Sequence, residues 1–227
     1  RPVLGGRRAL HGGGEERGGE LGRSEPDRAP VAPARRAGYG RPVSVTAVDR
    51  APDPAPRLLA IAGFGAAVAV GLGVYGRVHD PSQELVFTLF FSTTISMKVW
   101  LATVALVFAV VQIASAAWVY GKFGHAPPWA GTAHRISGRL AFIVSLPVAY
   151  HCLWSLGFQD TDTRVLLHSL LGCCFYGAFA AKVTIVNARG LPGLALPVAG
   201  GILFAVLVGV WLTSALWFID KGGWPAI

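Results

Sequence analysis

The chain has 227 residues, 53% of them apolar and 14% charged, with a net charge of +8. The apolar residues gather into five long stretches after Leu58, which excludes a water-soluble globular domain and points to a membrane protein. The charge does not indicate a nucleic-acid partner. Much of it lies in the first 56 residues, where arginines alternate with Glu15, Glu16, Glu20, Glu25 and Asp27, and the rest marks one membrane face.

Residues 1–56 are rich in Arg, Gly and Pro, sparse in large apolar side chains, and show no period of 3.6 or 2. Such a composition cannot bury enough surface to offset its ordering entropy, so a disordered tail is expected. It lacks the short apolar run of a secretory signal. The chain opens on Arg1, and the working protein is expected to begin near Val43 or Val45.

Residues 57–220 read as one domain, an all-α integral membrane bundle of five transmembrane helices with helices two to five as its core. The spans are expected near Leu58–Tyr75, Val99–Tyr120, Ile136–Leu156, Val165–Val186 and Leu196–Phe218. Each approaches or exceeds the ~20 residues that cross a hydrocarbon core. Gly63, Gly65, Gly71 and Gly73 shorten and loosen the first span while permitting close helix packing. Between the first two spans, Leu85–Met97 is apolar enough for an interfacial helix and too short to cross.

The loops orient the bundle. Arg57, Lys122, Arg135, Arg139, Lys182 and Arg189 fall on the side of the tail. Arg77, Lys98, Arg164 and Lys221 fall on the other, together with Asp80, Glu84, Asp160, Asp162 and Asp220. The positive-inside rule then gives a cytoplasmic N-terminus and an outer C-terminus. Tryptophans at both ends, Trp118 on one side and Trp100, Trp154 and Trp217 on the other, suit the aromatic belts.

Two histidines flank one short polar turn, Gln159–Thr163. His151 and His168 therefore lie at one depth, roughly 8 Å below the outer surface, on consecutive helices. Ionisable groups at such depth usually face a bundle interior, and two imidazoles at one level are what six-coordinate haem iron requires. Gly172 follows His168 by one turn and Gly138 follows His134 likewise, so each glycine shares its histidine's face and leaves flat backbone that a porphyrin could cover. Pro147 removes one ladder bond just before His151 and should kink that helix. Three readings stay open for the pair: axial ligands of haem b, a structural hydrogen-bonding pair, or ligands of another copper or iron centre.

Arg164, one turn before His168, could pair with a haem propionate or act as an ordinary interfacial arginine. His134 lies seventeen residues before His151, in the opposite leaflet, with readings as an inner haem ligand, a quinone or head-group contact, or an interfacial residue. His125 is a poor ligand in its proline-rich loop, His79 is expected to be solvated, and His11 sits in the tail. Cys152, Cys173 and Cys174 all fall within spans, spaced for neither a disulfide framework nor a zinc site, and read as small apolar residues. With no Cys-x-x-Cys-His, covalent haem attachment is excluded. No carboxylate lies within a span, which argues against a proton-coupled pump. The first-span glycines do not form a dinucleotide fingerprint, so electrons would come from a separate donor.

Around AHRISGRLAFIVSLPVAYHCLWSLGF, DTRVLLHSLLGCCFYGAFAAKV and LPGLALPVAGGILFAVLVGVWLTSALWF the chain resembles a family of five-span bacterial membrane proteins of unknown function, over about Leu58 to Phe218. Through its intramembrane histidines and the His-Arg-x-x-Gly element it is more distantly similar to the cytochrome b561 and ferric-reductase class. It differs from that class in lacking two transmembrane histidine pairs. The resemblance implies a bacterial cell-membrane protein with b-type haem between helices, exchanging electrons with a small reductant, a quinol or a redox protein. A b-type cytochrome-like electron-transfer subunit is therefore expected, with haem between helices three and four. The alternative is a haem-free scaffold or anchor within a larger complex, surrounded by membrane lipid.

Overall fold

The structure, a computed structural model, describes residues 53–82 and 87–227. The expected tail through residue 52 lies outside the described residues. Five helices are long and apolar enough to cross a membrane: α1 (Ala55–Val78), α2 (Thr94–Val119), α3 (Ala130–Leu156), α4 (Thr163–Asn187) and α5 (Ala195–Gly222). No strand occurs among the described residues. Each helix extends past the apolar run that announces it, by six residues at the start of α3, because polar caps and flanking residues continue the backbone ladder.

Local chemistry sets these starts. Asp53 accepts the Ala55 N–H and Pro56 lies in the first turn of α1, where its missing N–H has no ladder partner to lose. Thr93 accepts the Ser96 N–H to cap α2, and Asp162 accepts the Val165 N–H to cap α4. The Thr93 cap explains why Leu85–Met97 is not an interfacial helix. Thr94–Met97 are the first turn of α2, Phe87–Thr93 form turns with Leu89 at φ 54°, and Phe91 is buried. Residues 83–86 lie outside the described residues.

α2 packs most extensively on α3, α1 on α4, and α4 on α5, with a lighter contact between α2 and α5. The α1–α4 crossing is backbone on backbone: a Cβ on Gly65 would approach the Gly177 carbonyl oxygen to 2.7 Å. Of the four first-span glycines, Gly65 is the one that makes this close approach, whereas Gly63 and Gly71 have open space. Small residues let apolar helices approach where no hydrophobic effect drives them together.

α3 and α4 meet through side chains. Midway, Phe142 stacks on Phe179 with centroids 4.2 Å apart, and the Tyr176 hydroxyl lies 3.0 Å from Ser145 Oγ. Beyond this bridge the two helices run to the turn that joins them, residues 157–162. Two helices widen at that end: α3 is π-helical over His151–Leu156 and α5 over Leu212–Leu216. Pro147 does not end α3, and the wide turn begins four residues after it.

Candidate functional site

An apolar cavity of about 100 Å³ lies among all five helices, with Leu72 of α1, Ala102 and Ala105 of α2, and Leu207 and Val210 of α5 in its lining. Val148, Ala149 and Cys152 border it from α3, and His168, Gly172 and Cys173 from α4. A Cβ on Gly172 would meet no neighbouring atom within 4 Å, so the backbone beside His168 is open.

The tautomer of His168 follows from its partner. Thr213, in the wide turn of α5, donates its one hydroxyl proton to the Gly209 carbonyl at 2.8 Å. It can then only accept from His168 Nδ1, 3.3 Å away. Nδ1 carries the proton, the Val210 backbone on α5 is a further partner of the same imidazole, and Nε2 keeps a lone pair. An imidazole held this way by a neighbouring group is prepared to act as a ligand or acceptor.

His151 reaches the same end of the bundle but a different surroundings. Its ring is fully buried, and Nε2 lies 2.8 Å from the Phe87 carbonyl. A carbonyl only accepts, so Nε2 is the protonated nitrogen. The Phe87 ring meets the imidazole edge-on at 4.8 Å. The lone pair is left on Nδ1, buried with no partner, as is Ser155 Oγ one turn on. An orphaned buried polar atom of this kind costs about 1–3 kcal/mol. The structure thus places His151 and His168 at one end of the bundle and not on one cavity, since His151 faces the returning 87–93 segment.

Arg164 is occupied. One Nη donates to the Thr213 carbonyl at 2.9 Å, the other lies 3.8 Å from Asp162, and the guanidinium sits 3.9 Å over the Trp217 ring. His79 is not simply solvated. Its two ring nitrogens lie 3.2 and 3.0 Å from the carbonyls of Tyr75 and Trp154, joining α1 to the wide turn of α3. The sequence signal for this was His79 within one turn of Tyr75, a stacking spacing.

The opposite end holds His134. Ser115 donates to the Val111 carbonyl at 2.6 Å and accepts from His134 Nδ1 at 3.1 Å, and the Gln112 carbonyl is a second acceptor at 3.2 Å. His134 therefore has the same tautomer as His168. Its glycine, however, is not open. A Cβ on Gly138 would come within 3.0 Å of the Gln112 amide, which occupies the space and donates to Ser137 Oγ at 2.9 Å and to the His134 carbonyl. Lys182 Nζ turns inward to Gln112 Oε1 at 3.4 Å. Gln112, whose polarity within an apolar run is its sequence signal, was not among the expected site residues.

Cys152 and Cys173 border the cavity and Cys174 is exposed, all three as free thiols. No group of three or more potential metal-binding side chains occurs among the described residues. The profile of a family of unknown function (DUF6529) matches residues 58–226, and the chain belongs to that family. No curated protein and no solved structure matches the chain.

Proposed function

We propose that this multi-pass membrane protein is a b-type cytochrome-like electron-transfer subunit of the bacterial cell membrane. Haem b would sit between α3 and α4, with the N-terminus cytoplasmic and the C-terminus outside. One observation supports it above others: His168 presents an unprotonated Nε2 beside an apolar cavity, next to the open backbone of Gly172.

The residues fit the group at one axial position. His168 would hold the iron and Gly172 would lie against the ring, and bound haem would supply one-electron exchange with a quinol or redox-protein partner. His151 would offer its unpartnered Nδ1 and could keep the Phe87 carbonyl on Nε2, but it would have to turn toward the cavity, which it does not line. Arg164 would reach a propionate only by leaving Thr213 or Asp162. A cavity of about 100 Å³ is below the ~300–1,000 Å³ of ligand sites, so the ring requires α3 and α4 to part further. Phe142, Tyr176 and Phe179 set the limit of that parting.

His151 favours the rival reading, a haem-free scaffold or anchor subunit, because it does not line the cavity that His168 borders. The two separate in a reduced-minus-oxidised absorption spectrum of the detergent-purified chain, expressed with ample haem. Haem bands lost in His168→Ala are expected. Conversion from low-spin to high-spin haem in His151→Ala would identify the second ligand. Wild-type protein without haem bands overturns the cytochrome reading in favour of the scaffold. With His134→Ala, loss of half the haem would indicate a second, inner site.

A further inference from the structure

The two ends of the bundle differ in how their charges are matched. Among the described residues the ion pairs are Arg77 with Asp160, Arg164 with Asp162 and Lys221 with Asp220, all at the end that carries Arg164. At the other end, Arg57, Lys122, Arg135, Arg139, Lys182 and Arg189 share one described carboxylate, Asp53, which accepts the Ala55 N–H. One of these cations is bonded to the backbone of another. Arg57 Nη1 donates to the Arg189 carbonyl at 3.1 Å, and a Cβ on Gly190, where φ is +73°, would come within 3.1 Å of the same nitrogen.

A groove of about 430 Å³ lies between α1, α4 and the start of α5, and its lining begins at Leu58, the residue after Arg57. Leu58 and Pro192, close in sequence to Arg57 and Arg189, line its mouth, and Ala181, Val198, Ala199 and Ile202 continue it along the helices. Every lining residue is apolar.

We propose that this groove binds an anionic phospholipid, one acyl chain along the groove and the headgroup phosphate on Arg57 and Arg189. The volume falls in the ~300–1,000 Å³ range of ligand sites. Guanidinium groups match phosphate oxygens in pairs, and basic sites between helices at this membrane level are suited to anionic headgroups. Charge argues against a second copy of the chain. Copies in one membrane share an orientation, so docking on this face would set one Arg57–Arg189 pair beside another at the same level, with Asp53 as the one described carboxylate at that end.

The test uses the full chain in mixed micelles holding equal dioleoyl phosphatidylglycerol and dioleoyl phosphatidylcholine, with retained lipids counted by native mass spectrometry. The expected result is at least fivefold retention of the glycerol lipid over the choline lipid. The ratio should fall to near one in the double variant Arg57→Gln/Arg189→Gln, persist in Arg57→Lys/Arg189→Lys, and persist in the control Arg135→Gln. Ala199→Phe, which fills the groove, should remove the retained lipid altogether. Equal retention in the wild type overturns the proposal, as does a preference that survives Arg57→Gln/Arg189→Gln. A lipid-free wild-type dimer that Ala199→Phe converts to monomer would instead give the groove to a second copy.

Discussion

His134–Gly138 on α3 and His168–Gly172 on α4 repeat one pattern at opposite ends of the bundle, and their surroundings diverge. In both, a hydroxyl from a neighbouring helix, bonded to its own backbone, holds the imidazole Nδ1 proton. In both, Nε2 is left with its lone pair. At Gly138 the flat backbone is covered by Gln112 and the helices are tied together, whereas at Gly172 it opens on a cavity. Helical spacing decides which residues share a face. The neighbouring helix decides whether the space over that face is closed by the protein or left for something else.

The largest expected effect comes from filling both spaces. Gly138→Leu must expel Gln112 from its hydrogen bonds, and overpacking plus the lost bonds should destabilise the bundle by about 3 kcal/mol. Gly172→Leu projects into the cavity and should change stability by less than about 1 kcal/mol while abolishing any haem signal. Detergent unfolding measures both, and equal losses would break the contrast between a closed end and an open one. A smaller effect, about 2 kcal/mol, is expected for Gln112→Leu, which unties α2, α3 and α4 and leaves Lys182 without its amide partner.

The smallest effects sharpen the comparison most. Ser115→Ala and Thr213→Val should each cost about 0.6–1 kcal/mol. Nitrogen-15 imidazole spectra report the tautomer at each end. His134 keeps its tautomer in Ser115→Ala because the Gln112 carbonyl still accepts its Nδ1 proton. His168 has the Val210 backbone as a second partner, so Thr213→Val should also keep one tautomer. A mixture of tautomers in Thr213→Val would show that the Thr213 hydroxyl alone orients His168.

The five spans were legible because apolar length is a one-dimensional property, and the placing of His151 and His168 at one end of the bundle followed from the short turn between them. The direction each histidine faces was not legible. It depends on Phe87, which reaches His151 by folding residues 87–93 back against α3, a contact 64 residues distant in the chain. Gly138 and Gly172 look alike in sequence for the same reason: Gln112, which separates them, is on another helix. His79 was expected to be solvated, yet its carbonyl partner Trp154 lies 75 residues away. Caps and spans are local, while occupancy of the space between helices is not.

The widened turns at His151–Leu156 and Leu212–Leu216 also bear on how this bundle tolerates changes in length. A π turn bonds each residue to the fifth along instead of the fourth, so it stores one residue more than the α-helix around it. Removing a residue elsewhere in a span would rotate everything beyond it by about 100° and scramble its facing. Removing one from these two turns would let the ladder close as ordinary α-helix with both flanks in phase. Chains of slightly different length could therefore share this bundle, provided the missing residue falls at the end where the cavity lies.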